Sequence, residues 1–268
     1  MGLFATCTVF LQTCAMASGG NDPKAPLLCY VGGTMRPAME KIIKLYEKKT
    51  GARIDVDYAE SGTQMIKVKE TGKGDLLVVH DPFLGAAKKQ GLADTGWTVA
   101  RLEGEIVVPK GNPMKIAKFS DLAKPGIRLI LTDSTYSTLG HVVNVMANKS
   151  GCRDKLLANV ITRTKSSGEA ANAVAMGNAD AAIVWNAVAF LRKNKLDAMP
   201  IEAGLQPVKN VDAITSATFG AIDMSNIHVV IMSLACSKQK AAARQFAEFT
   251  ASPEAAAVWV SEGFSPGK

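Results

Sequence analysis

Four short clusters of glycine and hydroxyl side chains recur where an apolar run gives way to a helix-like pattern. They are Gly32-Gly33-Thr34, Ser61-Gly62-Thr63, Tyr136-Ser137-Thr138 and Ser166-Ser167-Gly168. A helix start carries unpaired backbone N–H groups and the positive end of the peptide dipoles. Serine and threonine hydroxyls add donors, and glycine lets a ligand approach the backbone. Several such starts aimed at one point form an anion cage that needs no charged side chain. The chemistry implied is capture of a small oxyanion, not catalysis. The plainer reading of each cluster is a helix cap or a turn. At Trp185-Asn186, which ends a buried apolar run, the alternatives are core packing or a polar contact from the indole N–H or the twice-donating amide.

The remaining chemical groups form no catalytic pattern. His80, His141 and His228 do not have metal-ligand spacing, so neither a metal nor a cofactor is expected. No nucleophile–base pair, nucleophile elbow or P-loop is present. Arg36 falls in a first helical turn, where it serves a ligand or reaches solvent. Lys165 is either a steering charge or surface charge. Glu60, next to Ser61, is expected to point into solvent, because a free carboxylate facing a dianion is repulsive. Asp75, Asp81 and Asp180 read as loop or cap residues, and His228 as structural.

The elements that would position these clusters alternate. Leu27–Val31, Arg53–Tyr58 and Leu76–Val79 read as strands, separated by helices over Arg36–Lys49 and from Ser61 onward. Met39, Ile42, Ile43 and Tyr46 recur on one helical face, and Gly51 stops that helix. Thr34 is expected to cap it, with Pro37 in its first turn. Glu105–Pro109 begins a second series, with strands at Arg128–Leu131, Val160–Arg163 and Ala181–Val184. Helices lie over Leu139–Ala147 and Glu169–Met176. His228–Leu234 is a further strand, and Lys238–Thr250 and Pro253–Trp259 are closing helices. Strand–helix alternation at these lengths predicts an α/β fold with two lobes, each a mostly parallel sheet flanked by helices. Ligand loops at the carboxyl ends of the strands place the site in the crevice between the lobes. The expected division is 26–104 with 210–268 for one lobe and 105–209 for the other.

Composition agrees with a folded binder. The chain has 268 residues, 47% apolar and 21% charged, enough for one large domain or two medium ones. The net charge of +7 comes from scattered lysines, and aromatics make up only 6%. A nucleic-acid partner is therefore not expected, since such binders concentrate cations beside aromatic platforms. Residues 1–20 carry no charge, and Ala15-Met16-Ala17 precedes Ser18-Gly19-Gly20. This reads as a secretory leader without its usual positive start, or as an apolar segment with no targeting role. Leu11-Gln12-Thr13-Cys14 is a poor lipoprotein-type signal. Cys29, Cys152 and Cys236 lie beyond the leader; an odd number cannot all pair, and buried inert thiols are expected.

Taken in order, several segments resemble the molybdate/tungstate-binding (ModA-like) family of periplasmic substrate-binding proteins of ABC transporters. They are Gly32-Gly33-Thr34, Ser61-Gly62-Thr63, Gly74-Asp75-Leu76-Leu77-Val78, Glu105-Ile106-Val107-Val108-Pro109-Lys110, Tyr136-Ser137-Thr138-Leu139-Gly140 and Asp180-Ala181-Ala182-Ile183-Val184-Trp185-Asn186. The resemblance spans Leu27 to Phe264. It implies a type II periplasmic-binding-protein fold, a monomer, a periplasmic or otherwise extracytoplasmic location with or without a membrane tether, and a membrane permease as partner. It also implies a tetrahedral dianion held by hydroxyls and N–H groups with little or no help from cations. Carried onto this chain, the contacts would be Gly33, Thr34, Ser61 and Gly62 from one lobe, and Ser137, Thr138, Ser166, Ser167, Trp185 and Asn186 from the other. The family often has serine where this chain has Gly33-Thr34, and tyrosine where it has Trp185. Sulfate, thiosulfate and other oxyanions are alternative ligands, and a two-lobe enzyme acting on a small anion is an alternative class.

Overall fold

A computed structural model describes residues 25–209, 211–216 and 220–267; the expected leader lies outside them. The first half runs β1 (Leu27–Gly32), α1 (Arg36–Thr50), β2 (Ile54–Ala59), α2 (Ser61–Thr71), β3 (Leu76–His80), α3 (Phe83–Lys89), β4 (Ala93–Leu102), β5 (Gly104–Pro109) and β6 (Leu129–Thr132). It continues α4 (Thr138–Lys149), α5 (Arg153–Ala158), β7 (Val160–Thr164), α6 (Ser167–Ala175), β8 (Ala181–Trp185), α7 (Asn186–Leu191) and β9 (Leu196–Pro200). It closes with β10 (Ala213–Ser216), β11 (Gly220–Asp223), β12 (Ile227–Leu234), α8 (Lys240–Thr250), α9 (Pro253–Ser261) and β13 (Ser265–Pro266).

Two main sheets result. One has the strand order β13-β4-β12-β3-β1-β2 and the other β7-β6-β8-β5-β9. Strands β1, β3 and β8 are apolar runs buried on both faces, as expected for sheet centres covered by helices on each side. The fold is α/β in two layered lobes, but the parallel part is narrower than the strand–helix alternation implies. Among the described residues only β2-β1-β3 and β7-β6-β8 run parallel. Strand β12 pairs antiparallel with β3 and β4, and β5 pairs antiparallel with β8 and β9. The chain leaves the first sheet through β4 and enters the second at β5, with only Glu103 between them.

Helix α1 buries Met39, Ile42, Ile43 and Tyr46, and Gly51 caps it in the left-handed region at φ 71°. Tyr46 packs against Phe246 and Phe249 of α8, which ties the carboxyl-terminal helices to the first lobe. Full burial of a side chain such as Ile42 is worth about 1.5–3 kcal/mol. The three aspartates flagged in the sequence are anchors. Asp75 accepts from Leu28 N and Ser237 Oγ, Asp180 from Arg128, and Asp81 from His228.

Three local expectations are corrected. Thr34 does not cap α1; Gly33–Met35 form a single 3-10 turn, and Met35 occupies the cap position without a side-chain bond. Strands β4 and β9 and helix α5 were not anticipated, because their half-exposed residues show no clean period. Cys236 is exposed in the turn after β12, not buried, whereas Cys29 is fully enclosed and burial pushes its thiol pKa up.

Gly140, in the first turn of α4, lets the Asp133–Ser137 loop lie directly on the helix. A Cβ there would sit 2.5 Å from Ser134 N and 2.8 Å from the Asp133 carbonyl carbon. Backbone cannot yield cheaply, so Gly140→Ala should destabilise the fold by about 1–3 kcal/mol; urea denaturation checks this.

Candidate functional site

The carboxyl ends of the strands face a cleft of about 250 Å³ lined from both sheets. From the first lobe come Gly33 and Thr34 after β1, Ser61 and Gly62 after β2, and His80 at the end of β3. From the second come Ser137 and Thr138 after β6, Ser166 and Ser167 after β7, and Trp185 at the end of β8. Each loop follows a strand, so the sheets themselves carry the helix starts to one cavity.

The hydroxyls are not occupied as helix caps, with one exception. Ser166 accepts from Glu169 N at 3.3 Å and is the N-cap of α6. Helix α2 has Glu60 in its cap position, without a side-chain bond, and Ser61 is the first helical residue. Helix α4 has Ser137 in its cap position, again without a side-chain bond. The Ser167 hydroxyl is fully enclosed and has no hydrogen-bond partner among the described residues. An enclosed unpaired hydroxyl carries a desolvation cost of about 1–3 kcal/mol.

Gly32 sets the approach of Ser61. A Cβ on Gly32 would lie 2.6 Å from Ser61 Oγ and 2.5 Å from Met35 Cε. The missing side chain lets α2 begin against the end of β1. Gly62 and Gly168 start their helices without side chains that would fill the cleft.

Asn186 is the one expected contact placed elsewhere. Its Oδ1 accepts from Glu103 N at 3.2 Å and its Nδ2 donates to Ser265 Oγ at 3.2 Å. Its own N–H donates to Glu103 O at 2.9 Å. It therefore ties the start of α7 to the strand crossover and to the β13 segment, outside the cleft lining. Trp185 is buried and is part of the cleft lining.

The charge pattern also differs from expectation. Glu60 is exposed, as expected, but stands at the rim of the cleft, where partial burial and nearby Glu169 raise its carboxyl pKa. Arg36, Lys165 and Arg192 line it too, so cations are present where the resemblance implied few. Arg36 bonds Glu40 at 2.8 Å and lies over the Tyr58 ring. Lys165 lies 5.3 Å above the Tyr136 ring. Arg192 has no carboxylate partner among the described residues. Its Nε donates to Asn172 Oδ1 at 2.7 Å, and its other nitrogens reach the Val188 and Gly168 carbonyls. Burial lowers its pKa. A partly desolvated guanidinium bonded only to neutral groups, beside the positive start of α6, creates a strong demand for an anion.

Sequence reasoning missed His80, Phe83 and Arg192 as cleft residues. His80 carries the same signal as the others, the last position of a buried strand. Arg192 arrives through tertiary packing of α7 on α6 and has no local signal. No cluster of metal-binding side chains occurs among the described residues.

A two-lobe α/β fold with a donor-lined cleft between its sheets defines a solute-binding protein. Residues 27–265 match the model of the bacterial extracellular solute-binding protein family, and the chain belongs to that family. It is similar to the sulfate-binding protein of Synechococcus elongatus, at 23% identity over 93% of this chain and 75% of the relative. Its fold matches the periplasmic molybdate-binding protein of Azotobacter vinelandii with a TM-score of 0.72, 19% identity, and 89% and 98% of the two chains covered. It also matches Peb3 of Campylobacter jejuni in its L-phospholactate-bound structure, with a TM-score of 0.71, 21% identity, and 89% and 99% covered. The Synechococcus and Azotobacter proteins are named as binding proteins. Among the described residues no helix is long and apolar enough to cross a membrane.

The two adjacent serines make opposite predictions for the ligand-free protein. Ser166→Ala removes a cap and should cost about 0.5–2 kcal/mol. Ser167→Ala removes an unpaired buried hydroxyl and should leave stability unchanged or raised. Chemical denaturation of the two variants checks the contrast.

Proposed function

We propose that this protein captures a tetrahedral oxyanion outside the cytoplasm and delivers it to an ABC permease. The observation that supports this most is the convergence of helix starts from both sheets on one cleft, with the Ser167 hydroxyl unpaired within it. In this reading Gly33, Thr34, Ser61 and Gly62 form one half-cage and Ser137, Thr138, Ser166 and Ser167 the other. The lobes, 26–104 with 210–268 and 105–209, close about the Glu103 crossover that Asn186 braces. Closure excludes water, so each N–H and O–H donor acts in a lower dielectric. Capture involves no bond making or breaking.

Molybdate and tungstate are the ligands the family resemblance carries, and the Azotobacter neighbour is a molybdate-binding protein. Sulfate is supported by the Synechococcus relative. A second reading, an organic phospho-anion, is favoured by Arg192. That cation stands without a carboxylate beside the apolar wall of Val188, Leu191 and Phe264, and such a wall suits a carbon-bearing ligand better than a bare oxyanion. The L-phospholactate recorded with Peb3 is of this class.

A thermal-shift panel of molybdate, tungstate, sulfate, thiosulfate, phosphate and phospholactate tests the proposal, since a ligand that binds only the native state raises apparent stability. At least one should raise the melting temperature; no shift with any would refute oxyanion capture. A hydrogen bond to a charged group is worth about 1.5–3 kcal/mol. Ser61→Ala should therefore weaken the best ligand by about tenfold or somewhat more while the fold stays intact, as read by titration calorimetry.

A further inference from the structure

The cleft wall holds one side chain that the donor cage does not use. His80 ends β3 and lines the cleft between two aromatic rings, 5.8 Å from Phe83 and 6.2 Å from Trp185 between centroids. Its Nδ1 lies 2.7 Å from the carbonyl oxygen of Asp81. A carbonyl can only accept, so Nδ1 carries the hydrogen. In the neutral ring Nε2 is then a bare acceptor. Nε2 has no hydrogen-bond partner among the described residues, and the local bond to Asp81 O holds the ring's orientation.

We infer that His80 is a specificity-determining residue whose Nε2 accepts a hydrogen bond from the ligand, so that the cleft selects an oxyanion retaining an O–H, of the phosphate class, over sulfate, molybdate and tungstate. This rests on the oxyanion-capture reading above. Backbone N–H groups and the side chains of Arg36, Lys165 and Arg192 only donate, so a fully deprotonated tetrahedral anion would satisfy them without His80. Placed against such an anion, the Nε2 lone pair faces oxygen lone pairs and goes unpaired, at a desolvation cost. Placed against a P–OH group, it is satisfied. Glu60 repeats the pattern at the exposed rim of the cleft, where a carboxylate repels a bare dianion but accepts from a hydroxyl.

Burial keeps His80 in this form, against the Asp81 carboxylate and carbonyl, which favour the protonated ring. Arg36, Lys165 and Arg192 oppose a further positive charge. Glu262 is bonded to Lys41, and Asp81 is engaged by His228 through Oδ2. Glu60, with its raised pKa, is the remaining anion. Burial lowers the His80 pKa below its ordinary value, so the ring is neutral at neutral pH. Below its folded pKa the ring gains a second N–H and a positive charge, which converts the acceptor into a donor.

Titration calorimetry on the whole protein with inorganic phosphate, sulfate and molybdate, at about pH 8 and about pH 5, decides the matter. At the higher pH phosphate should bind at least about tenfold more tightly than sulfate or molybdate. His80→Phe should lower phosphate affinity about tenfold and, by removing the unmet lone pair, raise sulfate affinity; retained sulfate binding also shows that the variant is folded. His80→Gln, which keeps a carbonyl acceptor, should retain part of the preference. Sulfate affinity should rise more on acidification in the wild type than in His80→Phe, where only Glu60 is left to lose its charge; a purely structural histidine would make no difference between the two. Equal or tighter binding of sulfate or molybdate at the higher pH, or a uniform loss for all three anions in His80→Phe, overturns the inference and leaves oxyanion capture standing. Binding of none of the three overturns the inference; if the wider thermal-shift panel is also silent, oxyanion capture falls with it.

Discussion

The structure depends on a constraint of backbone chemistry: a helix start exposes N–H groups that nothing within the helix can satisfy. Most proteins place such ends in water or cap them with a side chain. Here α2, α4 and α6 begin at one cavity, and the side chains at their first positions do little capping. Only Ser166 closes on its own helix. The remaining donor capacity is directed into the space between the sheets, where low dielectric magnifies both its value when met and its cost when left open.

The sheets make that convergence possible. A parallel strand must hand over to a helix at its carboxyl end, so β1, β2 and β3 in one lobe and β6, β7 and β8 in the other deliver their loops to the same edge. Antiparallel strands would not do this, and the antiparallel members β4, β5, β9 and β12 contribute no helix start to the cleft. They link and brace the lobes instead. The β4–β5 crossover at Glu103, tied by Asn186, is the point where the two halves are joined most directly. Gly32 and Gly140 are where close approach is needed: one brings Ser61 against β1, the other seats the Asp133–Ser137 loop on α4.

Charge then refines what neutral donors begin. The cleft lining combines a guanidinium without a carboxylate partner, two further cations, two carboxylates and an imidazole. A cage for a bare dianion needs only donors. Adding acceptors to the same wall narrows the set of ligands that leave no group unsatisfied, which is how specificity arises from desolvation rather than from affinity alone.

Much of this was legible before any coordinates. The apolar runs at Leu27–Val31, Leu76–Val79 and Ala181–Val184, the helical face of α1 and the hydroxyl clusters after the strands are local patterns, and a local pattern survives folding. The α/β class, and the arrival of the Gly33, Ser61, Ser137 and Ser166 loops at one cavity, are legible for that reason. Other features were set by contacts distant in sequence. Asn186 reads as a ligand amide but faces the crossover because Glu103 and Ser265 meet there. Glu60 is exposed, as local repulsion argues, but stands at the rim of the cleft. Arg192 joins the site only because α7 packs on α6, and the lone pair of His80 is assigned only by its contact with the Asp81 carbonyl. By itself the chain determined which groups could donate and where helices begin, since both follow from residue type and short-range periodicity. Which of those groups face one another was decided by tertiary packing, because burial and hydrogen-bond partnership are properties of neighbours in space.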